Sequence, residues 1–191
     1  MDYLAEAASF AKKEGIGIHL DGARIFNAAL KRKVAASAIA SCFDSVSLCL
    51  SKGLGAPVGS LLYANKELIR EARKWRKMLG GGMRQAGIVA AAGIYALQHN
   101  RQRLAEDHEN ATLLAQGRQE RDEIGVEFHE AQTNMVYADF SSTAAALLPE
   151  FLQQRGILVS SWDRVRLVTH LDIAREDISR VVEAYNGFFS G

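Results

Sequence analysis

Apolar residues recur at helical intervals near the start of the chain. Tyr3, Leu4, Ala7, Ala8 and Ala11 predict a helix over 2–14. Gly15 is placed to stop it. Ile16, Ile18 and Leu20 then alternate with smaller or polar residues and predict a short strand, ended by the turn pair Asp21-Gly22. The alanine-rich stretch 24–40 predicts a helix. A second strand is predicted over 43–50, where Val46, Leu48 and Leu50 alternate with Ser45, Ser47 and Cys49. Strand, helix and strand in that order predict a parallel βαβ unit, whose two strands end on one edge of the sheet. Sites of open α/β sheets lie outside the carboxyl ends of the strands. Asp21 and Lys52 are therefore expected to be neighbours in space.

The pattern continues with an apolar strand over 57–64. It is reached so soon after Lys52 that a hairpin or an abrupt reversal is expected. A basic helix is predicted over 66–79 and an apolar one over 83–99, with Gly80-Gly81-Gly82 between them. A polar helix is predicted over 100–124, carrying Leu104, Leu113 and Leu114. Beyond Gly125 the pattern changes. Strands over 126–129, 134–140, 157–161 and 164–169 alternate with helices over 142–155 and 174–189. This reads as a compact α+β module, and the domains are drawn as 1–105 and 106–191.

Composition narrows the function classes. The 191 residues are 48% hydrophobic and 24% charged, a globular balance. A formal net charge of +1 gives no argument for nucleic acid or an anionic membrane as partner. The longest nearly apolar run, Gly87 to Leu97, is too short to cross a bilayer. No leader-like apolar region opens the chain, so a cytoplasmic location is expected. Cys42 and Cys49 are too few for a disulfide framework or a zinc site and read as buried thiols.

Several residues carry candidate chemistry. A lysine before a glycine at a strand end is commonly a solvated turn residue. Lys52, however, follows a strand with one face of small side chains, and Gly53 and Gly55 let the backbone pass close to a ligand. Asp21 reads as half of an ordinary turn pair or as the partner of a buried cation. An acid and a lysine so placed are the two protein groups that pyridoxal phosphate needs most: the amine condenses with the aldehyde, and the carboxylate keeps the ring nitrogen protonated. His19 either orients Asp21 or is a satisfied core histidine. Arg24, at a helix start, reads as a surface residue or as a donor to a cofactor oxygen or a substrate carboxylate. Gly53 to Gly59 imitates a dinucleotide loop, but the third glycine comes one place late and a strand follows. Gly80–Gly82, flanked by Lys77 and Arg84, reads equally as an anion cradle or a flexible connection. Arg166, in an alternating strand, either clamps a carboxylate or faces solvent. His170 and Asp172 lack a third partner for a metal, and none is expected.

Taken together, His19-Leu-Asp-Gly-Ala-Arg-Ile-Phe-Asn27, Cys49-Leu-Ser-Lys-Gly-Leu-Gly-Ala-Pro-Val-Gly-Ser60, Trp75-Arg-Lys-Met-Leu-Gly-Gly-Gly-Met-Arg-Gln85 and Arg166-Leu-Val-Thr-His-Leu-Asp172 resemble the low-specificity L-threonine aldolases. These are fold-type I pyridoxal-phosphate enzymes related to the β-eliminating lyases. The resemblance covers nearly the whole chain. It implies an α/β fold: part of a cofactor-binding large domain, a βαβ unit plus helices, followed by a small α+β domain. It also implies that Lys52 binds the cofactor aldehyde, that Asp21 pairs with the pyridine nitrogen and that Arg24 lies on the O3′ side. Arg166 would take the substrate α-carboxylate, with Lys77 and Arg84 near the substrate. The family consists of longer chains, typically homotetramers, and this sequence resembles their C-terminal part. None of its five histidines matches the one that stacks on the cofactor ring.

The activity so implied is cleavage of threonine or a related β-hydroxy-α-amino acid to glycine and an aldehyde. Two alternatives stand beside it. One is another fold-type I lyase catalysing β-elimination. The other is a non-catalytic remnant that needs a partner chain.

Overall fold

The computed structural model describes residues 1–117, 126–160 and 163–190. Helix α1 (Asp2–Lys13) leads to strand β1 (His19–Asp21), helices α2 (Ile25–Arg32) and α3 (Ala36–Ala40), and strands β2 (Ser45–Cys49) and β3 (Ser60–Ala64). Helices α4 (Lys66–Met78) and α5 (Gly87–Gln116) follow. Then come β4 (Val126–Phe128), β5 (Met135–Phe140), α6 (Ser142–Gln153), β6 (Arg164–Val168) and α7 (Arg175–Phe188). The chain divides into two compact units, Met1–Leu104 and Ala105–Gly191.

The sheet of the first unit has the order β1-β2-β3. β1 runs parallel to β2, with His19 beside Ser45, Leu20 beside Val46 and Asp21 beside Ser47. β3 returns antiparallel, from Ser60 beside Cys49 to Ala64 beside Ser45. The register sorts the faces, because successive side chains alternate. Leu20 and Val46 turn to a core with Ile25, Ala29 and Ile39, built from α2 and α3. His19, Asp21, Ser45, Ser47 and Cys49 share the opposite face. A second cluster joins Leu50, Leu54 and Ala56, beyond β2, to Ala96 and Leu104 of α5. Phe26 and Leu48 pack against both clusters.

The helix expected over 24–40 is two helices. Lys33 adopts a left-handed conformation (φ 55°), and the amides of Lys33 and Val34 return to the carbonyls of Leu30 and Ala29. That is a Schellman stop, sealed by packing of Val34 on the Ala29 cluster. Gly15 stops α1 in the same way, through Ile16 to Ala11. Conversely, the separate helices expected over 83–99 and 100–124 are one 30-residue helix, since no breaker stands at the junction. Residues 118–124 of that expectation lie outside the described residues.

The second unit carries a sheet of order β4-β5-β6, antiparallel throughout. Its inner face, with Val136, Ala138, Phe140 and Val165, packs on Leu148 and Leu152 of α6 and on Ile178 and Tyr185 of α7. Burial pushes the Tyr185 phenol far above its ordinary value, so it stays neutral at any physiological pH. The strand expected over 157–161 does not form at 157–160, and residue 161 lies outside the described residues. Gly156 (φ 74°) turns the chain so that Ile157 bonds back to Leu152, and Ile157 and Val159 pack on the core without joining a ladder.

Candidate active site

The carboxyl edge of the first unit's sheet gathers the candidate groups. Asp21 is the last residue of β1, and its register partner Ser47 precedes the Lys52 turn by five residues along β2. The two parallel strands therefore deliver Asp21 and the lysine turn to one edge, as the hydrophobic pattern predicts. Gly22 makes the approach possible. A Cβ there would stand 2.7 Å from the Ser47 carbonyl oxygen and 2.8 Å from Val46 Cγ1. Only hydrogen fits, so the turn after β1 lies against the backbone of β2.

Asp21 Oδ1 accepts the amide of Ala23 at 3.1 Å, which fixes the carboxylate in an Asx-type turn. His19 neither orients Asp21 nor belongs to the core. It is exposed, and its Nδ1 meets Ser45 Oγ at 2.8 Å across the strands. Arg24, the residue before α2, is half-buried, and its Nε is buried with no hydrogen-bond partner among the described residues. An unmatched buried donor carries a desolvation cost unless an acceptor arrives. Cys42 and Cys49 are half-buried free thiols rather than fully buried ones.

Lys52 is exposed and makes no ion pair or hydrogen bond through its side chain among the described residues. Its loop is nonetheless tightly built. The Lys52 carbonyl accepts from Gly55 at 2.8 Å, the Leu50 carbonyl from Ala56 at 3.0 Å, and the Leu50 amide donates to Gly59 at 3.0 Å. Leu50 and Leu54 are buried on either side of the lysine. The amine thus stands free on a fixed backbone. A sheet edge that carries an unpaired amine on one turn, and a carboxylate and an orphaned guanidinium N–H on the other, suits a ring carrying an aldehyde, a basic nitrogen and an anionic oxygen. The residues present fit pyridoxal phosphate.

Gly80 (φ 84°) and Gly81 serve α4 as its stop, Gly81 bonding back to Arg76 at 2.8 Å. A Cβ on Gly82 would collide with the stem of Lys77. The glycine run is thus a helix terminus folded over a basic side chain. Lys77 and Arg84 are exposed, and neither pairs with a carboxylate among the described residues.

In the second unit, Arg166 lies on the outer face of the sheet beside Tyr137, and Arg164 beside Asp139. Arg164 is engaged: its Nε is 3.4 Å from Asp139 Oδ1, and its guanidinium sits 5.3 Å from the Tyr137 ring centre. Asp139 Oδ2 meets His129 Nε2 at 2.7 Å. Arg166 has no such partner among the described residues. With Ser160, Thr169, His170 and Arg180 it lines a cavity of about 480 Å³ belonging to this unit. A buried polar network fixes the exit of β6. Asn134 Nδ2 donates to the Thr169 carbonyl at 2.8 Å, and Thr169 Oγ1 donates to the Asp107 carbonyl. No pattern in the sequence marks Asn134 or Thr169 for these duties, and Gly22 reads there only as half of a turn pair.

Both the fold and its neighbours are those of fold-type I pyridoxal-phosphate-dependent enzymes. A candidate L-allo-threonine aldolase of Listeria monocytogenes superposes with a TM-score of 0.81 at 22% identity, covering 96% of this chain and 55% of that one. Serine palmitoyltransferase of Sphingomonas wittichii does so with a TM-score of 0.73 at 19% identity, covering 96% and 50%. At such identities the likeness shows the fold. In sequence, the beta-eliminating lyase family matches residues 1–141, and the chain belongs to that family. The low specificity L-threonine aldolase of Escherichia coli K12 is 45% identical over 189 residues, 99% of this chain and 56% of its own length. Low-specificity L-threonine aldolase 1 of Arabidopsis thaliana is 38% identical over 190 residues, 97% and 53%. The chain spans about half the length of the curated relatives it matches. No helix among the described residues is long and apolar enough to cross a membrane.

Proposed function

We propose that the polypeptide carrying this chain is a pyridoxal-phosphate-dependent aldol lyase that cleaves L-threonine or L-allo-threonine to glycine and acetaldehyde. The observation that carries this reading is the parallel register of β1 and β2, with Asp21 and the Lys52 turn on one sheet edge. In it, Lys52 would bind the cofactor aldehyde and Asp21 would pair with the ring nitrogen. Arg24, whose Nε lacks an acceptor among the described residues, would donate to the anionic ring oxygen. Arg166, unpaired beside an engaged Arg164, takes the substrate α-carboxylate by a two-pronged bond. Lys77 and Arg84 lie near the substrate. When bound, the cofactor supplies an electron sink for the broken Cα–Cβ bond. The work of this chain is orientation and charge: Asp21 stabilises the positive ring nitrogen, and the arginine clamp fixes which bond stands ready to break.

The polypeptide acts as a homo-oligomer in the cytoplasm, with an amino acid as its small-molecule partner. Borohydride reduction of the natural-length polypeptide with bound cofactor, then peptide mapping, tests the lysine. A pyridoxyl label is expected on Lys52 and is absent from Lys52→Ala. A label elsewhere, or none, overturns the reading. The family description favours one competitor, β-elimination. Acetaldehyde from threonine supports the aldolase, and pyruvate with ammonia from a β-substituted amino acid supports the competitor.

A further inference from the structure

The Lys52 loop is held from outside as well as from within. Asn100, on α5, donates through Nδ2 to the carbonyl of Leu54 at 2.7 Å. Leu54 is buried, and no backbone amide reaches its carbonyl among the described residues. The side-chain amide of Asn100 therefore satisfies an acceptor that the loop's own hydrogen bonds leave over, and a carbonyl partly shielded from water and left without a donor is costly. The bond falls two residues from Lys52, inside the turn closed by Gly55 to the Lys52 carbonyl. α5 also meets this loop through apolar packing, by Ala96 and Leu104. Apolar contact resists separation but sets no direction. One hydrogen bond to a carbonyl fixes the rotation of a peptide plane.

We infer that Asn100 is a positioning residue for Lys52: it locks the Leu54 peptide, and through it the direction in which the amine is presented. The inference rests on the proposed role of Lys52. It goes beyond that reading by assigning a residue that touches neither cofactor nor substrate. Asn100 lies mid-helix, where an asparagine is a poor helix former, and its amide is spent on the loop instead of the helix backbone.

The test uses the natural-length polypeptide with Asn100→Leu, which keeps the volume and removes the donor, and with Asn100→Asp, which keeps the shape and offers no donor at neutral pH. Hydrogen exchange at the amides of Gly55 and Ala56 is expected to quicken about tenfold, with exchange in the β2–β3 ladder unchanged. The visible absorbance of the bound cofactor is expected to titrate at a shifted pH. Turnover is expected to fall about tenfold, with KM altered less than about twofold. A packing role alone would leave Asn100→Leu with unchanged local exchange and an unchanged titration, and that result overturns the inference. So does a uniform rise in exchange across the first unit. If Asn100→Leu does not accumulate folded, Asn100→Asp decides by the same readings. Failure of borohydride to label Lys52 in the unsubstituted protein sinks the functional reading, whereas the exchange data still decide whether Asn100 holds the turn.

Discussion

Asp21 and Arg24 are three residues apart, yet their polar atoms are served differently. Asp21 has one oxygen bound to the Ala23 amide, while Arg24 has a buried Nε with no acceptor among the described residues. Opposite consequences follow for their substitution. Asp21→Asn retains the oxygen that Ala23 needs and removes only the charge. Folding, followed by circular dichroism, should be unaffected, while kcat falls on the order of 10²–10³-fold. Arg24→Leu removes a donor that is a burden in the cofactor-free protein. Stability without cofactor is expected to hold or to rise by up to about 1 kcal/mol in urea titration. Retention of pyridoxal phosphate in equilibrium dialysis is expected to weaken about tenfold. A large loss of cofactor-free stability would show that Arg24 serves the fold and not the site.

At the scale of elements, close approaches decide more than composition does. Gly22→Ala drives a methyl into the Ser47 carbonyl and Val46. A cost of about 1–3 kcal/mol in denaturant unfolding is expected, together with loss of cofactor binding, since the clash separates β1 from β2 at their carboxyl ends. Lys33→Gly relieves a left-handed lysine and is expected to stabilise by about 1 kcal/mol in the same assay. These stops also show what can be read from a sequence. The parallel pair β1–β2 and the reversal into β3 are visible in the alternation of Val46, Leu48 and Leu50, and in the short path from Lys52 to Ser60. The break at Lys33 is not, because the sequence gives no glycine there, and a lysine adopts that conformation only with Val34 seated on Ala29. Likewise Gly80–Gly82 invites an anion-binding reading until Gly81 is seen returning to Arg76. The resemblance marks the residues of the candidate site, but their setting is tertiary. Which arginine is engaged, which carbonyl Asn100 meets and which glycine touches a strand depend on contacts distant in sequence.

At the scale of the molecule, the first unit exposes much apolar surface. Tyr63 on β3 is 64% exposed, Leu79 after α4 is 83%, and Ile88 at the start of α5 is 87%. Large apolar side chains left this exposed mark contact surfaces or drive association where they gather. The 191-residue chain on its own is expected to bind a hydrophobic dye and to elute from size exclusion larger than its mass, increasingly so with concentration. Ile88→Lys and Leu79→Lys should reduce both effects. A dye-silent monomer at all concentrations would contradict this account of the surface.

The ladder between β2 and β3 brackets the lysine loop between Cys49 and Ser60, which face one another in register. A deletion inside that bracket cannot be absorbed quietly. If the loop tightens, its buried flanks Leu50 and Leu54 are pulled from their seats. If the strands slip instead, Ser45 and Ser47 exchange faces with Val46 and Leu48 relative to β3. Apart from Lys52, the buried leucines and the glycines at positive φ, the side chains of this segment are open to variation, but the number of residues is not. Removing any one of them should be as damaging as removing the amine they present.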